Sequence, residues 1–271
     1  MTLPTGKPHV SFSEIKEYRE CGYRHKLHQI KKIDLSKPSI HLVFGIATHA
    51  VAEHFFNTGK IDISIAEKIL DEEYEKNAAF HDFVANDKNS LLGAIQNIMD
   101  DFPGFLDENF PGWTLHRAEE DLYENLVAFY EQHSDVSFKG FIDVVLKVPT
   151  KKSGEFLYWI IDLKTANRPW TRQKIQDETI KMQLVLYKNF WAKKNNIPLK
   201  SIRCGFVTLL KSGKKGKLCK LIPVSVGDVT SERSLKILNS AVTGIKRGIA
   251  IKNRNSCKYC DYLDTEHCRL V

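Results

Sequence analysis

Apolar and polar positions follow two different rhythms along the chain, and the change falls near Thr114. Before it, the spacing is helical. Ser11 to Leu27 opens on SFSE, where Ser11 and Glu14 stand at capping-box spacing. A second helix is predicted over Leu42 to Phe56, since LVFGIATHAVAEHFF is apolar almost all round and belongs inside a fold. Residues 62–110 read as two or three amphipathic helices, with a loop near Ala85 to Asn89 and breaks at Pro103 and Pro111. After Thr114, TLHRAEEDLYENL, SFKGFIDVVLKV and FLYWIIDLKTA read as three consecutive strands, the last two joined through PTKKSGE. One long helix is predicted from Arg172 to Asn195, ended by NNIP. The strands SIRCGFVTLL and KLCKLIPVSV then flank an SGKKGK turn, and a last helix spans Ser231 to Gly248. Helices first, then a sheet interrupted by one long helix, predict an α/β fold of three-layer type. No repeat or low-complexity linker divides the chain. The expectation is one domain over 1–271, with a helical insertion at 62–112 and a cysteine-rich C-terminal segment at 249–271.

Composition narrows the class. A chain of 271 residues, 42% apolar and 27% charged, can bury a full core and matches an ordinary globular protein. No segment approaches the roughly eighteen apolar residues of a membrane span. The opening MTLPTGKPHV lacks the regions of a secretory signal, so a cytoplasmic protein is expected. The net charge is +7. Between Glu178 and Asp228 there is no acidic residue but eleven basic ones, a one-signed stretch that suits a polyanion.

The chemistry concentrates in the strands. In WIIDLKTA, Asp162 and Lys164 are two apart and so share a face, while Ile161 and Leu163 take the other. The carboxylate can hold a hard divalent cation, and the ammonium can orient water or steady phosphate charge. Asp143 stands among apolar neighbours in FKGFIDVVL, costly to bury without a partner or a metal. Adjacent strands would bring Asp143 and Asp162 to one cation. Gln183 and Tyr187, four apart in MQLVLYKNF, share a helix face, and His49 has Gly45 and Glu53 on its own face of the earlier apolar helix. Each feature alone has an ordinary structural explanation; the order and spacing of the set favour function.

That order, GIATH, GFID, DLK and QLVLY, resembles the PD-(D/E)XK nuclease superfamily, and within it the RecB-like exonucleases, such as the AddB subunit and the CRISPR-associated adaptation nucleases. The resemblance runs from Ser11 to Cys268, apart from the helical insertion. It departs mildly from many members in having GFI, not a proline-containing turn, before Asp143. It implies a restriction-endonuclease-like core with a mixed central sheet flanked by helices. It also implies Asp143, Asp162 and His49 as metal ligands, Lys164 as the residue assisting the attacking water, and Gln183 and Tyr187 as the pair positioning phosphate or lysine. The reaction implied is phosphodiester hydrolysis with Mg²⁺ or Mn²⁺.

Six cysteines occur, and CKYCDYLDTEHC groups Cys257, Cys260 and Cys268. Three cysteines are one ligand short of a closed site, and Cys21 near the other end is the candidate fourth. The same nucleases carry a split cluster of this layout. The resemblance therefore implies a four-iron, four-sulfur cluster on Cys21, Cys257, Cys260 and Cys268, stapling the termini around the core. Zinc is the alternative occupant and His267 the competing ligand. Cys204 and Cys219 read as buried thiols. Trp170 and Tyr187 could stack on bases, Trp170 equally being an anchor at the helix start. The expected substrate is DNA, single-stranded or with free ends, in recombination, repair or phage genome processing, with a recombination or helicase partner protein. An adaptation-type end-trimming nuclease in a larger complex and a catalytically silent DNA-binding subunit are the alternatives.

Overall fold

The computed structural model describes residues 3–269. In chain order the elements are β1 (His9–Ser11), α1 (Phe12–Glu20), α2 (Gly22–His25), a π-helical turn (Lys26–Ile30), α3 (Ile40–Thr58), α4 (Ser64–Lys76), α5 (His81–Val84) and α6 (Lys88–Asn109). They continue as β2 (Thr114–Asn125), β3 (Ser137–Pro149), β4 (Phe156–Ala166), α7 (Arg172–Gln176), α8 (Glu178–Asn195), β5 (Ile202–Leu210), β6 (Cys219–Val224) and α9 (Asp228–Lys246).

The six strands form one mixed sheet in which β3 is the hub. Along one edge β3 pairs antiparallel with β2, from Thr114↔Lys147 to Asn125↔Ser137. Its other edge is shared. β1 lies parallel to it over His9↔Ser137 to Ser11↔Lys139, and β4 lies antiparallel over Val144↔Ile161 to Pro149↔Phe156. Gly140 to Asp143 therefore lie in a gap on that edge, because β4 leaves β3 beyond Ile161. β4 does not leave the sheet: it stays parallel to β5 as far as Ala166↔Leu210, and β6 closes the far side antiparallel to β5.

Helices cover both faces, as the three-layer expectation required. One face packs Phe138, Val145, Ile160 and Phe206 under α1, α8 and α9. Ten residues of α8, Met182 and Leu184 to Ala192, are buried, so this helix is enclosed almost all round, with Trp191 fully buried near its C-terminal end. The other face packs Val144, Leu146, Ile161, Leu163, Val207 and Leu209 under α3, α4 and α6. Helices α4 and α6 thus supply part of the core: Leu70, Ile95, Ile98, Met99, Phe102 and Leu106 are all buried against α3 and the sheet.

Three local expectations are corrected, and one element is new. The first helix is interrupted at Cys21, whose extended backbone ends α1 and caps α2 through Sγ, which accepts the Arg24 N–H. Pro103 does not break its helix; α6 runs through it, because the apolar face from Met99 to Leu106 gains more by packing than the one lost backbone bond costs. The predicted 172–195 helix is two helices. Asp177 ends α7 and caps α8, with Oδ1 accepting the N–H groups of Thr179 (2.8 Å) and Ile180 (3.3 Å). The short β1 had no sequence signal, since three residues carry no period. Among the described residues no helix is long and apolar enough to cross a membrane.

Candidate active site

The parting of β3 and β4 creates the site. Past the last pair, Val144↔Ile161, the Leu163 N–H has no strand partner on the β3 side, and Asp143 Oδ2 accepts it at 2.6 Å. A side chain thus replaces a ladder bond, and Asp143 is pinned beside the chain that carries Asp162 and Lys164. Asp162 is buried (2% exposed) and Lys164 half-exposed. Lys164 Nζ lies 2.6 Å from Asp162 Oδ2 as an ion pair. The other oxygen, Oδ1, accepts Gln183 Nε2 at 2.7 Å. The same Gln183 nitrogen also reaches the Tyr187 hydroxyl at 3.2 Å, so α8 holds Asp162 from below.

From the opposite face α3 delivers His49. Gly45 lets this helix approach β4 closely, since a Cβ there would meet Thr165 Oγ1 at 3.3 Å. One turn later His49 Nδ1 stands 3.7 Å from Asp143 Oδ2. All six residues singled out in the strands and helices therefore meet at one place.

Electrostatics divides their roles. Burial, then the neighbouring Asp162 carboxylate, push the Asp143 carboxyl well above the usual range, with Glu119 adding to the effect. Burial works against the Lys164 ammonium, but Asp162 and then Asp143 outweigh it and raise its pKa. Burial holds His49 below its ordinary value, favouring the neutral imidazole that ligates metals. Burial pushes the Tyr187 hydroxyl up to about 12, so it stays protonated.

Two contributors escaped the sequence reading. Gly140 is required by Tyr187: a Cβ on it would lie 2.6 Å from Tyr187 Cε1. The GFID spacing held that signal, but only the packing explains it. Glu119 sits in β2 between partners of Ile142 and Val144, hence opposite Asp143, in a left-handed conformation (φ 48°). Burial and then Glu53 and Asp121 raise its carboxyl. No local pattern marks it.

A divalent cation fits this donor set. Two buried carboxylates repel each other, one ammonium faces the pair, and the oxygens are the hard donors Mg²⁺ and Mn²⁺ prefer. Among the described residues no three His, Cys, Asp or Glu side chains are arranged to hold a metal by themselves. Mg²⁺ commonly takes only one or two carboxylates and fills its remaining positions with water and phosphate oxygens.

At the other end, Cys21, Cys257, Cys260 and Cys268 all line one hollow of about 100 Å³, without closing on a common centre. His267 is not part of its wall. The tail is sewn to the N-terminal helices: Asn253 Nδ2 and Ser256 Oγ donate to the Glu20 carbonyl (2.9 and 2.7 Å), and Tyr23 donates to the His267 carbonyl (3.2 Å). Cys204 and Cys219 sit elsewhere, with burial pushing both thiols up to about 12. The basic stretch of 179–227 does not form one face. Lys188 is buried and donates to the Val226 carbonyl, while Lys194 pairs with Glu120 at 2.7 Å. Lys211 and Lys215 instead line a hollow of about 700 Å³ against α6. Trp170 packs on Phe206, their ring centres 5.2 Å apart.

A family model for the PD-(D/E)XK nuclease superfamily matches residues 9–265. A crystal structure from Eubacterium rectale, described as "Putative exonuclease", superposes with a TM-score of 0.54. It covers 94% of this chain and 87% of that one at 10% identity, a likeness of fold. No curated protein matches the sequence.

Two outcomes are expected. Gly140→Ala forces the Tyr187 ring aside and lowers stability by about 1–3 kcal/mol, read from the denaturant midpoint. The second concerns pH. Because the folded carboxyl of Asp143 keeps its proton above the unfolded value, the folded state binds more protons there. Stability in chelator then falls as pH rises above about 4, until the raised folded value is passed. Asp143→Asn flattens that fall; a stability profile unchanged by the substitution would count against the raised carboxyl.

Proposed function

The chain belongs to the PD-(D/E)XK nuclease superfamily, and on that premise we propose that it is a Mg²⁺- or Mn²⁺-dependent deoxyribonuclease that hydrolyses phosphodiester bonds at free or single-stranded DNA ends. The observation that carries the proposal is the meeting of Asp143, Asp162 and Lys164 in the fork between β3 and β4, with Leu163 N–H holding Asp143 at 2.6 Å.

Asp143 and Asp162 would hold the divalent ion, with water and phosphate oxygens filling its other positions, and neutral His49 stands beside Asp143. When bound, the ion supplies charge stabilisation at the phosphate and lowers the pKa of the attacking water. Lys164 orients that water and steadies the developing negative charge, from a position set by its ion pair with Asp162. Gln183 fixes the Asp162 carboxylate so that the oxygen facing the lysine keeps its direction. Tyr187, protonated and wedged against Gly140, fixes Gln183 in turn. Each of these groups is in place before substrate arrives, so little reorganisation is needed in the transition state.

At the chain ends we assign Cys21, Cys257, Cys260 and Cys268 to a four-iron, four-sulfur cluster, with zinc the competing occupant. The four thiols around one hollow support this assignment, and so do the bonds from the Asn253 and Ser256 side chains to the Glu20 carbonyl that hold the tail against α1. The site would work as a staple between the termini.

End-labelled single- and double-stranded DNA should be degraded in Mg²⁺ or Mn²⁺ and left intact in chelator. Asp162→Ala and Lys164→Ala should each slow cleavage by at least about 100-fold. Variants that cut as well as the parent would remove these residues from the chemistry. Protein prepared without oxygen should be brown and contain iron and sulfide; colourless protein holding zinc alone would replace the cluster by a zinc site.

A further inference from the structure

The connection that leaves β4 just past Lys164 is strongly one-signed. From Asn167 to Gln176 it carries Arg168, Arg172 and Lys174 and no acid. None of the three makes an ion pair among the described residues. Lys174 Nζ stands 4.5 Å from the centre of the Trp170 ring, which is fixed in turn against Phe206. The ring works as a shelf that carries the ammonium over a cleft of about 600 Å³, large enough for a nucleotide-sized group. Lys164 and Gln183 line the inner end of this cleft, and Lys16 of α1 faces Lys174 across it.

The charges in this cleft do not cancel. Burial, and then the proximity of Lys16 and Lys164, hold the Lys174 ammonium below its ordinary range, so the lysines are close enough to repel one another. Acids on the α1 wall already have partners. Glu14 bonds His25 at 3.1 Å, Glu17 bonds His28 at 2.9 Å and Gln29 at 3.0 Å, and Glu20 is paired with Arg24. Lys16 pairs with Glu20 at 3.8 Å and Lys164 with Asp162, so the charge left without an acidic partner beside the proposed reaction centre is that of Lys174. A polyanionic chain entering that centre is the ligand whose charge it complements.

We propose that Lys174, carried by Trp170 and faced by Lys16, binds the phosphodiester next to the scissile one, so that this cleft takes the backbone of a single nucleic-acid strand leading into the site. The proposal rests on the nuclease reading of Asp143, Asp162 and Lys164. Phosphate contacts of this kind set the register of the strand without reading its bases, so the cleft adds affinity and positioning and no sequence preference.

The test measures binding separately from cleavage. A fluorescein-labelled single-stranded oligodeoxynucleotide is titrated in chelator over a range of salt, with Lys174→Met, Lys174→Arg and a control, Lys152→Met at the far turn of the β3–β4 hairpin. Methionine keeps the stem packed on Trp170 and removes the charge. Lys174→Met should weaken binding about fivefold to tenfold at low salt and reduce the slope of log affinity against log salt by about 0.7. Lys174→Arg should restore most of both, and Lys152→Met should match the parent. In Mg²⁺, the KM for the oligonucleotide should rise with Lys174→Met by a similar factor, while kcat moves far less. If Lys174→Met binds with parental affinity and salt slope while the parent cleaves, the subsite is wrong and the nuclease reading stands. If the parent does not cleave but shows the Lys174-dependent slope, the subsite stands and the nuclease reading falls. A parent that does not bind the oligonucleotide overturns the subsite.

Discussion

The site depends on one constraint: β4 must leave β3 while it stays paired with β5. A strand that parts from its neighbour inside a fold exposes backbone donors that cannot be left unsatisfied. Here the Asp143 carboxylate takes the Leu163 N–H at 2.6 Å, closing the gap a strand would have filled. That bond fixes Asp143 against the stretch that carries Asp162 and Lys164, and so sets the spacing of the charges. Leu163 also turns its side chain into the opposite core with Ile161 and Val207, which holds β4 in place where it diverges. Packing and chemistry therefore share one stretch of chain.

The Asp143 carboxylate is held at an electrostatic disadvantage, which is what makes it useful. Burial and mutual repulsion oppose charge on Asp143. Lys164 compensates from one side, and the rest of the support is polar and neutral: Gln183, the Tyr187 hydroxyl and the His49 imidazole. A divalent cation is the partner that would relieve both carboxylates at once. The support rests on close approaches, one that only glycine permits at Gly140 under Tyr187 and a tight one at Gly45 beside Thr165, so α8 and α3 reach the fork from opposite faces.

The N-terminal helices tie the two ends of the molecule together. α1 packs on α8 and α9 with Phe12 and Ile15, its polar side forms a wall of the cleft beside Lys164, and Cys21 at its end lines the hollow with the three C-terminal cysteines. The break at Cys21 turns the chain so that the Glu20 carbonyl accepts from both Asn253 and Ser256. Loss of that docking would disturb the wall of the cleft as well as the tail, because both belong to the same short segment.

Much was legible in the sequence because it is local. The two hydrophobic rhythms mark helices before Thr114 and strands after it, and the period of a strand puts Asp162 and Lys164 on one face without any knowledge of the fold. Helical spacing does the same for Gln183 and Tyr187. What the sequence could not decide depends on neighbours distant along the chain. It could not show that Gly140 makes room for Tyr187, that Glu119 stands opposite Asp143, or that Pro103 is absorbed by a buried helix face. Nor could it place Trp170 and Lys174 beside Lys16, some 150 residues earlier, around one cleft. The sequence by itself determined which residue types could do the chemistry and on which elements they stand. Only the tertiary structure decided that β3 and β4 separate after Val144 and Ile161, because the point of parting is set by pairing between strands and by helices packed on both faces.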